Sequence, residues 1–415
     1  MNRYTEILKE ELIPAFGCTE PIALAYAAAK ATQVLGHIPE RIICSCSGNI
    51  VKNAKSVVVP GTDGLKGIEI SVVLGAIAGD PDKELEVLNG IEKNKVAEAK
   101  KLAEEGMCQI KLVPNVANLY IKIQSFYEDE CAAVTLKDGH LNIIELHKNN
   151  DLLYKKDSNS EEEDDDIEIF RFKNIYNYAN NVNIEEVKLI LDKQIEYNLN
   201  IAKEGLENDY GARVGKTIYS KSPNDINEIA KAYAAAGSDA RMSGCELPVV
   251  INSGSGNQGI SVSLPIIIYA SSLNSPKEEL YRALALGNLI AIYLKRGIGK
   301  LSAYCGVSCA AAASAAGIAY LYKEPLNVIE ATVSNSLATI SGMICDGAKP
   351  SCASKIAIAF DSAMLGYELA KGSNNFKGGD GIVKDDIDST IRSISKMAKD
   401  GMKETDNEIL NIMLE

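Results

Sequence analysis

The chain has no Trp, six Phe and three His among its 415 residues. Scarce aromatics argue against an aromatic-rich sandwich, and abundant Ala and Gly point to closely packed helices. His37, His140 and His147 lie away from the Gly-rich stretches in sequence. That argues against a His-based triad and against most His-containing zinc sites. No dense basic run is present, so nucleic-acid binding, which rests on neutralising phosphates, is disfavoured. The first eleven residues carry Arg3, Glu6, Lys9, Glu10 and Glu11 and no apolar stretch. They do not resemble a signal peptide, so a cytoplasmic protein with reduced thiols is expected. One uncharged window, 301–322, is long enough to span a bilayer. It is built from weakly hydrophobic Ala, Ser, Gly and Cys, so a buried helix is expected and no membrane partner.

What is present fits an ordinary globular chain: 46% apolar and 24% charged residues. The length allows two or three domains. The net charge of −13 is unevenly spread. Residues 151–170 hold nine acids against Lys155 and Lys156, so the rest of the chain is only mildly acidic. The acidic run 161–166 reads as a solvated loop on the surface, part of a remote segment 151–166.

Apolar spacing predicts an amphipathic first helix through Tyr4, Ile7, Leu8 and Leu12, ended by Pro14, and a second from near Pro21 to Val34. Residues 49–67 read as loop, and a charged helix spans about 82–106. The period then changes to two. Short strands are expected at 109–113, 119–124, 132–136 and 141–146, with Lys137-Asp138-Gly139 as a hairpin turn and a fifth strand at 167–172. Helices are expected near 184–206, 222–236, 277–296, 306–322, 325–341, 351–371 and 384–412. Pro223, Pro276 and Pro325 suit first helical turns. The expected fold is α+β, mainly helical with a small antiparallel sheet module. The expected domains are an N-terminal helical segment at 1–105, the sheet module at 106–175 and a helical catalytic domain at 176–415.

Three features carry chemistry. Cys305, Cys345 and Cys352 stand among Gly residues that would let a backbone approach a metal cluster. Thiols filling a core are the competing reading, and Cys309 lies one turn from Cys305. The stretch Ser253-Gly254-Ser255-Gly256-Asn257-Gln258-Gly259 offers amides and hydroxyls to a carboxylate or amine. It lacks the Lys of a phosphate-binding loop. Cys18 precedes a helix start, where the dipole lowers a thiol pKa.

In order along nearly the whole chain, these segments resemble the iron–sulfur L-cysteine desulfidase family, distant relatives of the iron–sulfur L-serine dehydratases. The resemblance rests on Phe16-Gly17-Cys18-Thr19-Glu20-Pro21, Pro60-Gly61-Thr62, Ser238-Asp239-Ala240-Arg241-Met242, residues 253–259, Leu301-Ser302-Ala303-Tyr304-Cys305 and residues 341–352. Residues 378–383 and Thr405-Asp406-Asn407-Glu408-Ile409 extend it. At Ala54-Lys55-Ser56 the family is often richer in Gly, and the acidic run is not part of its pattern.

The resemblance implies a 4Fe-4S cluster on Cys305, Cys345 and Cys352, one open iron and no pyridoxal phosphate. It implies α,β-elimination of L-cysteine to sulfide, ammonia and pyruvate. Ser253, Ser255, Asn257 and Gln258 would bind substrate, with Asn49, Asn53 and Thr62 as further candidates. Cys18 would be the catalytic base, Glu20 the alternative base, and a fourth cluster ligand the alternative role for Cys18. The rival activities are L-serine dehydration and a non-catalytic iron–sulfur redox sensor. The pattern is compatible with a homo-oligomer.

Overall fold

The computed structural model describes residues 2–156 and 169–415. The fold is α+β and mainly helical, as expected. The N-terminal part runs α1 (Arg3–Glu11), β1 (Pro14–Phe16), α2 (Thr19–Leu35), β2 (Arg41–Cys46), α3 (Gly48–Ala54), α4 (Ile68–Ala78) and α5 (Lys93–Glu104). Strands β3 (Cys108–Leu112), β4 (Tyr120–Tyr127), β5 (Glu130–Lys137), β6 (Ile143–Lys148) and β7 (Asp151–Lys155) follow. They join β2 in a six-stranded sheet of order β3-β2-β4-β5-β6-β7.

Every pairing in this sheet is antiparallel except β2 with β3. That parallel pair is closed by a long crossover through α3, α4 and α5, as parallel neighbours require. Sequence periodicity did not single out β2, so the sheet draws on residues well before 106. Its Ile42, Cys44 and Cys46 face the core in strict alternation. Residues 151–155 form edge strand β7 rather than loop. The acidic run 161–166 lies outside the described residues, as do 157–160 and 167–168. The strand expected at 167–172 is not formed at its far end, where Phe172 opens a helix.

The helical half comprises α6 (Phe172–Asn181), α7 (Ile184–Glu207), α8 (Val214–Lys221), α9 (Ile226–Met242), β8 (Pro248–Val250), α10 (Gly256–Ser272), α11 (Lys277–Arg296), α12 (Gly306–Leu321), α13 (Leu326–Ile340), α14 (Cys352–Lys371), α15 (Ile387–Lys396) and α16 (Lys403–Leu414). The long helix expected at 384–412 is thus two, separated by a π turn over Met397–Gly401. Helix α9 starts after Asp225, whose carboxylate caps the amides of Asn227 and Glu228, not at Pro223. Helix α10 was not anticipated, because Pro265 interrupts its pattern. Ala-rich α12 is buried along nearly its whole length and packs against α10, α11, α13 and α14. No described helix is long and apolar enough to cross a membrane. One hydrophobic core runs from the sheet through these helices.

Candidate active site

Two loops build a frame for the cysteines. Tyr304 and Ile344 form an isolated antiparallel bridge. Around it, Cys305 N donates to Met343 O at 3.0 Å and Cys345 N to Ala303 O at 2.6 Å. Cys305 caps α12, and Cys352 opens α14. All three thiols line one cavity. Cys309 is wholly buried in α12 and is not among the residues lining that cavity. Burial pushes its thiol up to about 11.

The electrostatics within the frame are uneven. The Cys305 thiol donates to Cys345, which holds Cys345 down at about 5 against the opposing effect of burial. The Lys52 and Lys295 ammonium groups and the Gly347 amide act in the same direction. Donation and burial together push Cys305 well up, and burial pushes Cys352 up. Lys52 comes from α3, buried, with its Nζ on Asp406 of α16 and on Cys345 O at 3.2 Å. Gly347 has φ of +92°, and a Cβ there would stand 2.4 Å from Lys52 O. Only Gly lets this loop close on α3. Lys295 of α11 is buried on the cavity wall, and burial lowers its pKa. No three His, Cys, Asp or Glu side chains among the described residues converge around a single metal ion.

The Gly-rich stretch is half turn and half helix. Asn252 and Ser255 bridge each other, and Ser253 and Gly254 take φ of +50° and +78°. Ser255 then caps α10, accepting from Gln258 N at 3.4 Å, so Asn257 and Gln258 sit in its first turn. Arg241, near the end of α9, is buried and gives Nη1 to Asn257 Oδ1 at 3.1 Å. Among the described residues its Nε has no acceptor, and neither has Oε1 of Gln258 a donor.

Cys18 meets this loop through its neighbour Thr19. Strand β1 pairs antiparallel with β8, Ala15 opposite Val249, and so anchors the chain just before Cys18. Thr19 Oγ1 donates to Gly254 O at 2.9 Å. Cys18 occupies the N-cap of α2, but its thiol is not lowered as expected. Burial, then the neighbouring Glu20 carboxylate, push it well above the ordinary range and outweigh the dipole. Its Sγ donates to Glu20 Oε2 at 3.0 Å. Burial also pushes Glu20 up, yet His140 and the Cys18 thiol overcome this and hold it at about 2.

Sequence distance misled on His140. It lies 3.9 Å from Glu20 through Nε2, and its ring packs on Gly254 of the Gly-rich stretch. Cys18, Asn53, Ser255, Asn257, Gln258, Cys305, Cys345 and Cys352 therefore share the cavity wall. Three candidates point elsewhere. Ser253 Oγ bonds Asn252 Oδ1 at 2.9 Å, Thr62 Oγ1 bonds Val59 O at 2.6 Å, and Asn49 Nδ2 bonds Asp406 at 3.1 Å. Arg241 was legible within its motif but not as a cavity residue. Lys295 and Lys52 gave no local signal.

Residues 82–411 match the family described as serine dehydratase alpha chain. The UPF0597 protein of Desulfitobacterium hafniense is 50% identical over 413 residues, covering 99% of this chain and 96% of that protein. That of Finegoldia magna is 48% identical over 417 residues and covers both chains fully. That of Bacteroides fragilis is 38% identical over 414 residues, covering 98% of this chain and 96% of that protein.

Proposed function

The chain belongs to the serine dehydratase alpha chain family, and from that premise we propose that it is an iron–sulfur L-cysteine desulfidase. It eliminates sulfide from L-cysteine, and the remaining aminoacrylate becomes pyruvate and ammonia. The observation that carries the reading is one cavity lined by Cys305, Cys345 and Cys352 together with the Cys18–Glu20 pair.

Cys305, Cys345 and Cys352 are the residues to hold a 4Fe-4S cluster. The donor set fits: three thiols, one of them already favouring thiolate, beside the buried ammonium groups of Lys52 and Lys295. Held there, such a cluster would supply Lewis acidity.

The chain's own residues do the rest. Arg241 and the first turn of α10 take the substrate carboxylate, for the buried guanidinium has an uncommitted donor and a helix N-terminus attracts anions. Ser255, Asn257 and Gln258 orient the substrate, and Asn53 lines the same cavity. Ser253, Asn49 and Thr62 act one layer behind, through the contacts that hold these segments in place. Cys18 removes the Cα proton. Its thiol is neutral at rest, so its proton must first pass to Glu20, an uphill transfer from a group held well above its ordinary range to one held at about 2.

The family's name favours a second reading, L-serine dehydration with hydroxide leaving. The test is anaerobic reconstitution followed by kcat/KM for both amino acids, reading sulfide and pyruvate. L-Cysteine is expected to be preferred at least about tenfold, the discrimination a few kcal/mol of differential binding supplies. Preference for L-serine establishes the dehydratase. A loaded protein that turns over neither is a redox sensor.

A further inference from the structure

Glu20 is almost fully buried, and its two oxygens face different neighbours. Oε2 accepts from the Cys18 thiol at 3.0 Å and from Thr19 Oγ1 at 3.2 Å. Oε1 faces Nε2 of His140 at 3.9 Å. His140 is itself buried, and its Nε2 has no hydrogen-bond partner among the described residues. A buried carboxylate without a compensating charge or donor is costly, and so is a buried ring nitrogen left unpaired. Each group supplies what the other lacks.

The backbone holds the ring in place. His140 sits in the connection between β5 and β6, where Asp138 adopts φ of +59°. Asp138 N donates to Leu119 O at 3.0 Å, and Asn142 Nδ2 closes the turn on Lys137 O at 2.7 Å. The far side of the ring rests on Gly254, where a Cβ would stand 2.9 Å from Cε1. The sheet thus delivers one side chain into the helical catalytic half. The gap to Oε1 is about 1 Å longer than a direct hydrogen bond. Catalytic contacts of this kind tighten when substrate binds.

We propose that His140 is the positioning residue for the Cys18 proton, fixing the Glu20 carboxylate through Oε1 so that Oε2 stays on the thiol. This rests on the reading of Cys18 as the group that removes the Cα proton. The S–H bond of Cys18 breaks and its proton goes to Glu20 Oε2, while His140 holds the opposite oxygen. The substrate Cα–H bond then breaks, its proton going to Cys18 and its electron pair forming the double bond as sulfide leaves. The proton on Glu20 departs with the sulfide, and the enzyme regains its starting state.

The experiment compares His140→Met and His140→Gln in reconstituted full-length protein. The two side chains are similar in volume, but only Gln keeps an N–H donor. The readouts are exchange of the L-cysteine Cα proton in deuterated buffer, KM, and cluster absorbance. His140→Met is expected to lose about a hundredfold in exchange, the usual contribution of a positioned proton-transfer group. Its KM and cluster absorbance are expected within threefold of the parent, and His140→Gln is expected to regain about tenfold. Exchange within threefold of the parent in His140→Met overturns the proposal. Equal loss in both variants also overturns it, because that marks a packing role. Should His140→Met not fold, Gly254→Ala displaces the ring independently and is expected to show the same loss with the same retained absorbance. Cys18→Ala keeps the two ideas apart. Wild-type exchange in that variant removes the Cys18 reading itself, whereas lost exchange there with intact His140→Met removes only the role of His140.

Discussion

The thiol of Cys18 donates to Glu20 Oε2 across 3.0 Å, with both residues at the head of one helix. A helix start alone favours thiolate, yet burial first and then the Glu20 carboxylate favour the neutral thiol. The resting pair therefore keeps its proton on sulfur, with the carboxylate as the acceptor it must reach.

Glu20→Gln leaves the thiol without an anionic acceptor. The expected result is a fall in kcat of about 10² to 10⁴-fold with KM changed less than threefold. Steady-state sulfide release measures both. A rise in KM with unchanged kcat moves Glu20 from proton transfer to substrate binding.

Cys345→Ala removes the thiol that is held down near 5. Anaerobic reconstitution is expected to give no stable four-iron absorbance. Cys309→Ala, one turn from Cys305 but off the cavity wall, is expected to load like the parent. The visible spectrum and iron count decide both. Normal loading of Cys345→Ala removes it from the ligand set.

Arg241→Ala takes away the buried cation that faces Asn257. A hydrogen bond to a charged partner contributes about 1.5–3 kcal/mol, so KM for L-cysteine is expected to rise roughly 10 to 150-fold. Cluster absorbance should be unchanged. Cysteamine, which lacks the carboxylate, is expected to bind parent and variant alike, and equal weakening of both ligands contradicts the carboxylate assignment.

Asp406→Ala strands the Lys52 ammonium, whose side chain is 1% exposed. Breaking a buried pair on one side destabilises by about 3–5 kcal/mol. Urea denaturation is expected to show that loss, and Lys52→Met in the same chain to recover most of it. Absence of recovery assigns the loss to α16 packing instead of the stranded charge.

Asp239 on α9 is buried, accepting from Gly215 N at 2.9 Å while Oδ1 has no partner among the described residues. Burial pushes its pKa up to about 6 despite the backbone donors. The folded protein therefore holds this proton more tightly than the unfolded chain. The stabilisation is complete below about pH 4 and is lost as pH rises through 6. Between pH 4 and 7 the parent is expected to lose about 2 kcal/mol relative to Asp239→Asn, less than the full conversion of the pKa difference because the unfolded carboxyl is already partly ionised at pH 4. Parallel melting curves at the two pH values test it.

The sequence was most informative where period or spacing was local. The strands at β3 to β6 followed from alternation, and α11, α12 and α14 from small-residue helical spacing bounded by Pro or Gly. Residues 49–67 read as loop from their Pro and Gly, although Asn49 and Asn53 sit in α3, whose cap is Ser47. Helix α10 was hidden by Pro265 and by a Gly-rich start that looked like loop throughout. At the site, Cys305, Cys345 and Cys352 stood out as a set through the ordered resemblance to the family, since Gly-rich surroundings alone do not separate ligands from thiols filling a core. His140 was not, since its partner Glu20 is 120 residues earlier and only the pairing of β4, β5 and β6 fixes where the turn points. Lys52 and Lys295 were invisible for the same reason. A buried ammonium on an apolar helix face has no sequence signature apart from the partner that neutralises it.

The amide hydrogen bonds that tie Ala303 to Cys345 and Met343 to Cys305 involve no sulfur. The loops that present these thiols are thus tied together by main-chain contacts. A change of side chain at either cysteine leaves those ties in place, so it alters what the frame can hold and not the frame.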